Sequence, residues 1–341
     1  MQTLPLNRSA ADLPVPSDDA RRHSDRLVEE IRAEVERHGG WISFTRYMEM
    51  ALYAPGLGYY VAGAAKLGAE GDFVTAPEIS PLFGRTLAGQ IAEILAHTGG
   101  EVLELGAGSG ALALSLLEEL QARNRLPERY RILEVSPELA QRQRRLLLQR
   151  RPGLADRVEW ITSLPPRFTG VVVANEVLDA LPVHLLAWRD EGVRERGVTW
   201  KGEGFAWAER SLAPGALRDA AAALQIEAPY QSEVSIAAPA LVRTLAGALE
   251  RGVLLCVDYG FGRREYYHPQ RNTGTLMCHY RHHAHADPFF LPGLQDVTSH
   301  IDFSAIAGAA REGGLEVAGY TSQAQFLVNC GITEVMSRTP A

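Results

Sequence analysis

At 341 residues, with 46% hydrophobic and 22% charged residues, the chain has the make-up of a globular protein able to bury a large core. Its formal net charge of -7 argues against a general nucleic-acid binder, which would carry a basic footprint. Three scattered cysteines without a CxxC pair exclude a disulfide framework and a zinc ribbon and fit a reducing, cytoplasmic setting, and no apolar run reaches the roughly 20 residues of a membrane span.

Residues 1–26 are polar, contain Pro14, Pro16, Asp18 and Asp19, lack a signal-peptide core and read as a disordered leader. Leu27–Arg37 has amphipathic spacing and stops at Gly39-Gly40, and Phe44–Leu52 predicts a second helix ended by Pro55-Gly56. Gly56–Gly71, with Tyr59 and Tyr60, reads as an ordered loop. A helix is predicted from Pro81 to His97, with Ser80 as its N-cap. These segments make an N-terminal helical and loop region over residues 27–100, expected to cover a site.

From residue 101 to 341 the pattern alternates. Strands are predicted at Val102–Leu105, Arg131–Val135, Val158–Ile161, Val171–Ala174 and Val253–Asp258, and helices at Ala111–Arg123, Pro137–Gln149 and Pro239–Glu250. Short apolar strands separated by helices imply an α/β fold with a doubly wound parallel sheet. Ligands on such sheets sit at the carboxyl ends of the strands. Two insertions break the alternation: an antiparallel unit at about 183–236 and a loop-like, histidine-rich stretch at about 261–300. Arg142, Arg144, Arg145, Arg150 and Arg151 cluster; they form a local basic patch or, on the plainer reading, the solvated face of a helix.

The chemistry gathers at the predicted strand ends. Val102–Leu105 leads into Gly106-Ala107-Gly108-Ser109-Gly110, a turn that lets the backbone approach a nucleotide-like ligand before a helix N-terminus. With Ala111 the run also satisfies the dinucleotide fingerprint, so an NAD-dependent dehydrogenase is an alternative. Glu104 shifts the balance toward S-adenosylmethionine, whose cationic ammonium and sulfonium suit an acid that would repel a diphosphate. Glu134, ending the second strand, is placed to accept both ribose hydroxyls of an adenosine. Asn175 and Glu176 leave the fourth strand as candidates to position a substrate nitrogen and hold a cation or take its proton, with Asp179 either joining them or capping a turn. Asp258 ends the fifth strand and lines the same pocket or satisfies loop amides. His300, beside Asp302 at a predicted helix start, is a candidate substrate contact. His268, His279, His282, His283 and His285 are dense, but adjacent residues rarely share one ion, and no metal is expected.

Six segments in order resemble the MidA family of S-adenosylmethionine-dependent methyltransferases: Tyr53–Tyr60, Gly71–Ser80, Glu104–Gly110, Asn175–Pro182, Val257–Gly260 and Pro292–Phe303. The mitochondrial members of that family assist complex I assembly by methylating an arginine of a complex I subunit. The resemblance implies a class I, Rossmann-like methyltransferase sheet and a protein arginine substrate. It also implies cofactor binding by Gly106, Gly108, Gly110 and Glu134, and a pocket mouth offering Asp72, Thr75 and Glu78. Family chains continue by tens of residues past the region matching Gly331–Glu334, whereas this sequence ends at Ala341. A binding protein that keeps the fold without turnover, acting in assembly, is a second alternative.

Overall fold

A computed structural model describes residues 13–62 and 75–338. Along the chain the elements begin with α1 (Asp18–Arg37), β1 (Ile42–Ser43), α2 (Phe44–Tyr53), α3 (Ala76–Ile79), α4 (Leu82–Thr98), β2 (Glu101–Leu105), α5 (Ala111–Ala122) and β3 (Tyr130–Leu133). There follow α6 (Pro137–Arg150), α7 (Pro152–Ala155), β4 (Val158–Ile161), β5 (Phe168–Asn175), β6 (His184–Arg189), β7 (Gly192–Lys201), β8 (Gly204–Ser211), α8 (Ala216–Ala223) and β9 (Tyr230–Val234). The rest are α9 (Ala237–Ala248), β10 (Leu249–Val257), β11 (Gly260–Phe261), α10 (Arg263–Tyr266), β12 (Met277–Tyr280), β13 (His283–His285), β14 (Asp296–Thr298), β15 (Ile301–Asp302), α11 (Phe303–Glu312), α12 (Gln323–Asn329) and α13 (Ile332–Arg338).

The chain forms two compact units: Met1–Ala64 with Leu178–Ala240 and Tyr259–Ile306, and Ala65–Val177 with Leu241–Asp258 and Ala307–Ala341. The division does not follow one cut near residue 100, because α4 groups with the strands that come after it.

The second unit is built on a parallel sheet in the order β10-β5-β2-β3-β4. β5 and β10 carry continuous apolar runs, Val171–Ala174 and Val253–Val257, as strands covered by helices on both faces do, while Glu104, Arg131 and Glu159 interrupt β2, β3 and β4. On one face Val102, Tyr130, Ile132, Val171 and Val173 pack with Leu87 and Ile91 of α4 and Leu112, Leu116 and Leu120 of α5. On the other, Leu103, Leu105, Val172 and Ala174 meet Leu241 and Leu245 of α9. Each fully buried leucine contributes about 1.5–3 kcal/mol, so this double layer holds the strand ends in place. Where the strands start, main chains nearly touch: a Cβ on Gly252 would lie 1.8 Å from the Gly170 carbonyl oxygen, and one on Gly170 2.0 Å from that of Glu101. The helix over the first of these strands begins one residue later than predicted. Pro81 occupies the N-cap of α4, and the Ser80 hydroxyl accepts from the Leu82 N–H at 3.2 Å.

The first unit contains a largely antiparallel sheet, β1-β7-β6-β9 with β8 on β7. The inserted antiparallel unit expected at 183–236 is present as β6 to β9, with β1 added from the N-terminal region. Leu186, Trp188, Tyr230 and Val234 form its core. Two expectations are corrected. The leader ends earlier than residue 26, since α1 already begins at Asp18: Ser17 accepts from the Ala20 N–H at 3.3 Å, and Asp18 and Asp19 complement the helix dipole. The stretch 261–300 is not all loop; β12, β13 and β14 make a three-stranded antiparallel sheet, and β11 pairs with β15. No helix among the described residues is long and apolar enough to cross a membrane.

Candidate active site

In the parallel-sheet unit the predicted polar residues meet at the carboxyl ends of β2, β3, β5 and β10. The chain leaves β2 with Gly106 at φ +58°, Gly108 at +54° and Gly110 at +88°, left-handed values that disfavour any side chain. Gly110 is the N-cap of α5, so the first-turn N–H groups of that helix, which lack intrahelical partners, open onto the turn. The sheet thus presents amides and a dipole to a ligand at the end of its central strand.

Glu134 follows β3 and is buried. One carboxylate oxygen accepts from the Ser136 N–H and the other from the Gln143 side-chain amide, each at 2.9 Å. Burial raises its pKa, and these hydrogen bonds, with one from the Val135 N–H, oppose the rise. A carboxylate offers about four lone-pair sites, so with three N–H donors in place one site remains for a ribose hydroxyl. Gln143 is a site residue that the sequence reading missed. Its amide nitrogen also donates to the Gly108 carbonyl at 2.9 Å, and its oxygen accepts from the Trp160 indole at 2.8 Å. The glycine turn and the acid are therefore tied through one fully buried side chain. Val135, next to Glu134 and 58% exposed, adds an apolar surface at the same strand end.

Glu104 is placed differently from an acid offered to a ligand. Its carboxylate is buried and accepts from the Tyr130 hydroxyl at 2.6 Å. Desolvation pushes its pKa to about 7; the Tyr130 hydrogen bond opposes the rise and the Glu134 charge adds to it.

The third part of the site lies at the ends of β5 and β10. Glu176 is a non-glycine residue at φ +51°, a conformation that costs of order 1–3 kcal/mol and clusters at functional sites. Burial raises its pKa to about 7, and the charges of Asp258 and Glu78 push the same way; the Ala76 N–H and the Asn175 side-chain amide donate to it and act against them. Asp258 accepts from the Val177 N–H at 3.2 Å. The Asn175 side-chain oxygen is buried with no hydrogen-bond partner, an acceptor left without a donor at the edge where such sheets bind ligands. Glu78 also closes α3, accepting from the Thr75 N–H at 3.4 Å.

Of the candidates, Glu104, Gly106, Gly108, Gly110, Glu134, Asn175, Glu176, Asp258, Thr75 and Glu78 all belong to this unit. Asp72 lies outside the described residues. Asp179 and His300 belong to the other unit. There the Asp179 carbonyl accepts from the Ser299 N–H at 3.0 Å. His300 packs on Phe261, and its Nδ1 is buried without a partner; burial and the Arg271 charge lower its pKa. His300 precedes β15 rather than opening a helix, and Asp302 pairs with Arg263 at 3.2 Å. Among the described residues no group of three His, Cys, Asp or Glu side chains is arranged to hold a metal ion.

The three left-handed glycines, the carboxylate with a spare acceptor site and the unpartnered amide oxygen fit a nucleoside bearing a cationic amino-acid tail. Comparison with known proteins agrees. A crystal structure of a Burkholderia thailandensis protein bound to S-adenosyl-homocysteine superposes with a TM-score of 0.93 at 49% identity, over 96% of this chain and 87% of that one. The mitochondrial protein arginine methyltransferase NDUFAF7 of Danio rerio is 32% identical over 87% of this chain and 75% of its own length. Its Caenorhabditis elegans homologue is 28% identical over 92% and 77%. The dinucleotide reading of the glycine run is thereby set aside. The S-adenosyl-L-methionine-dependent methyltransferase family profile matches residues 86–321, and the chain belongs to that family, with the class I fold and S-adenosylmethionine as its cofactor.

Proposed function

We infer that this enzyme methylates a nitrogen of a protein arginine. S-adenosylmethionine supplies, when bound, an electrophilic methyl group on a sulfonium. Gly106, Gly108 and Gly110 give the cofactor backbone access, and Glu134, held by Gln143, takes its ribose. Val135 offers an apolar surface to its flat base. Methyl transfer is an in-line displacement, so orientation contributes most of the rate.

One observation carries the choice of acceptor. Glu176 stands in a left-handed conformation, and burial, with the charges of Asp258 and Glu78 adding to it, raises its pKa to about 7. An acidic cluster of this kind grips a guanidinium through paired, charge-assisted hydrogen bonds. The cation restores the ionised form of Glu176, which then orients one nitrogen and takes its proton as the new bond forms. The unpartnered Asn175 oxygen accepts a second N–H. Support also comes from the relatives, named protein arginine methyltransferases at 28–32% identity.

The test is radiolabel transfer from the cofactor into a lysate, followed by acid hydrolysis and amino-acid analysis. Label in methylarginine is the expected result. Label confined to another residue or to small molecules would refute arginine as the acceptor, and no label at all would favour a binding protein that keeps the fold without turnover.

A further inference from the structure

We propose that the outer face of α6 docks an acidic, leucine-bearing segment of a partner protein. This helix turns Gln143 and Leu147 inward. Gln141, Arg144, Arg145, Leu148 and Gln149 line a shallow, solvent-open furrow along this one helix. Leu148 is 56% exposed there, an apolar side chain within a cationic face.

The charge on this face is largely uncompensated. Arg144 and Arg145 lie on this face and Arg142 at its flank, against one acid of the helix, Glu138. The adjoining Arg151 is taken by Glu118 at 2.7 Å. Among the described residues no ion pair engages Arg142 or Arg145. Arg144 is held in place: its guanidinium lies 4.6 Å from the Trp160 ring centroid, and the Trp160 indole N–H is fixed by Gln143. A guanidinium oriented in advance loses less entropy when it forms a bidentate pair with a carboxylate.

Charge complementarity identifies the occupant. The chain carries a net charge of -7, so a cationic island on α6 orients an acidic segment toward one place on an otherwise repelling surface. The stripe from Gln141 to Gln149 covers about two helical turns, roughly 11 Å, the length of three or four extended residues. Arginine and a central apolar anchor are the residue types that dominate interface energies. Nucleic acid fits less well. The basic face is narrow, the overall charge repels a polyanion, and the nearby indole that could stack a base is covered by Arg144. The proposal does not depend on which nitrogen is methylated.

The experiment is a fluorescence anisotropy titration of the full chain with a short labelled peptide of glutamates interrupted by leucines. Saturable micromolar binding that weakens with salt is expected. Combining Arg142→Glu and Arg145→Glu is expected to weaken it at least tenfold, and Leu148→Ser severalfold. The circular dichroism spectrum and the affinity for S-adenosyl-homocysteine are expected to stay unchanged. The proposal is overturned by equal binding of the peptide with glutamine in place of glutamate, or by tighter binding of a single-stranded oligonucleotide of the same charge. Charge-reversal variants that bind normally, or no saturable binding at all, overturn it too.

Discussion

Gln143 donates to Glu134 and to the Gly108 carbonyl from the same nitrogen, at 2.9 Å in both cases. The acid proposed to take the ribose and the turn proposed to approach the cofactor thus have one support. Gln143→Ala removes both contacts and leaves the Trp160 indole without its acceptor. An unsatisfied buried donor costs about 1–3 kcal/mol. The expected outcome is a lower melting temperature and at least tenfold weaker S-adenosyl-homocysteine binding by calorimetry. Unchanged affinity would show that Glu134 is positioned without this amide.

Gly110→Ala acts on the same support from the other side. The residue has φ +88°, and its Cβ would sit 3.3 Å from the Gln143 Cγ. A left-handed non-glycine residue costs roughly 1–2 kcal/mol, and relief of the contact moves Gln143 away. Cofactor affinity is expected to drop along with stability. Denaturant midpoints and calorimetry separate the two losses.

Glu176 sets a pH profile. Its pKa of about 7 in the free enzyme means that acid removes the ionised form proposed to hold the substrate cation. The value of kcat/KM is therefore expected to rise with pH up to about 7 and then level off. Glu176→Gln is expected to lower kcat/KM at least a hundredfold and abolish the rise, while S-adenosyl-homocysteine binds as before. A profile with the same inflection in that variant would assign the titration to another group.

Glu104 makes folding stability depend on pH in the opposite sense to a salt-bridged acid. Its carboxyl has a pKa near 4.5 when unfolded and about 7 when folded. Between these values the folded chain retains a proton that the unfolded chain has released, so stability falls as pH rises across that window. The loss is on the order of 3 kcal/mol. Glu104→Gln keeps an acceptor for the Tyr130 hydroxyl and is expected to flatten this part of the curve, read from urea midpoints at pH 5 and pH 8.

Much of this architecture is legible in the sequence where apolar runs are long. The strand Val158–Ile161 has its predicted limits, and β2 and α5 differ from theirs by one residue. The glycine turn and the acids at the strand ends follow from the same pattern. The partners of those acids do not. Tyr130, which holds Glu104, is 26 residues away, and nothing in local spacing marks it. Gln143 sits among arginines and leucines in a helix whose periodicity describes a face and not a hydrogen bond. The strands β12 to β14 have three or four residues each, too few to establish a period of two. The start of α1 was present as Ser17-Asp18-Asp19, a capping serine followed by acids, but the neighbouring prolines pointed to an unstructured leader.

The glycines at Gly170 and Gly252 make the two rims of the parallel sheet unequal in what they tolerate. On the starting rim a single methyl group would press on a carbonyl of the adjacent strand, so inheritance there is narrow. The opposite rim is bound by conformation at Gly106, Gly108 and Gly110, whereas Asn175 and Asp258 leave their strands there with side chains. Exchanging those two side chains is therefore a way to alter the site's chemistry that leaves the closely packed strand starts untouched.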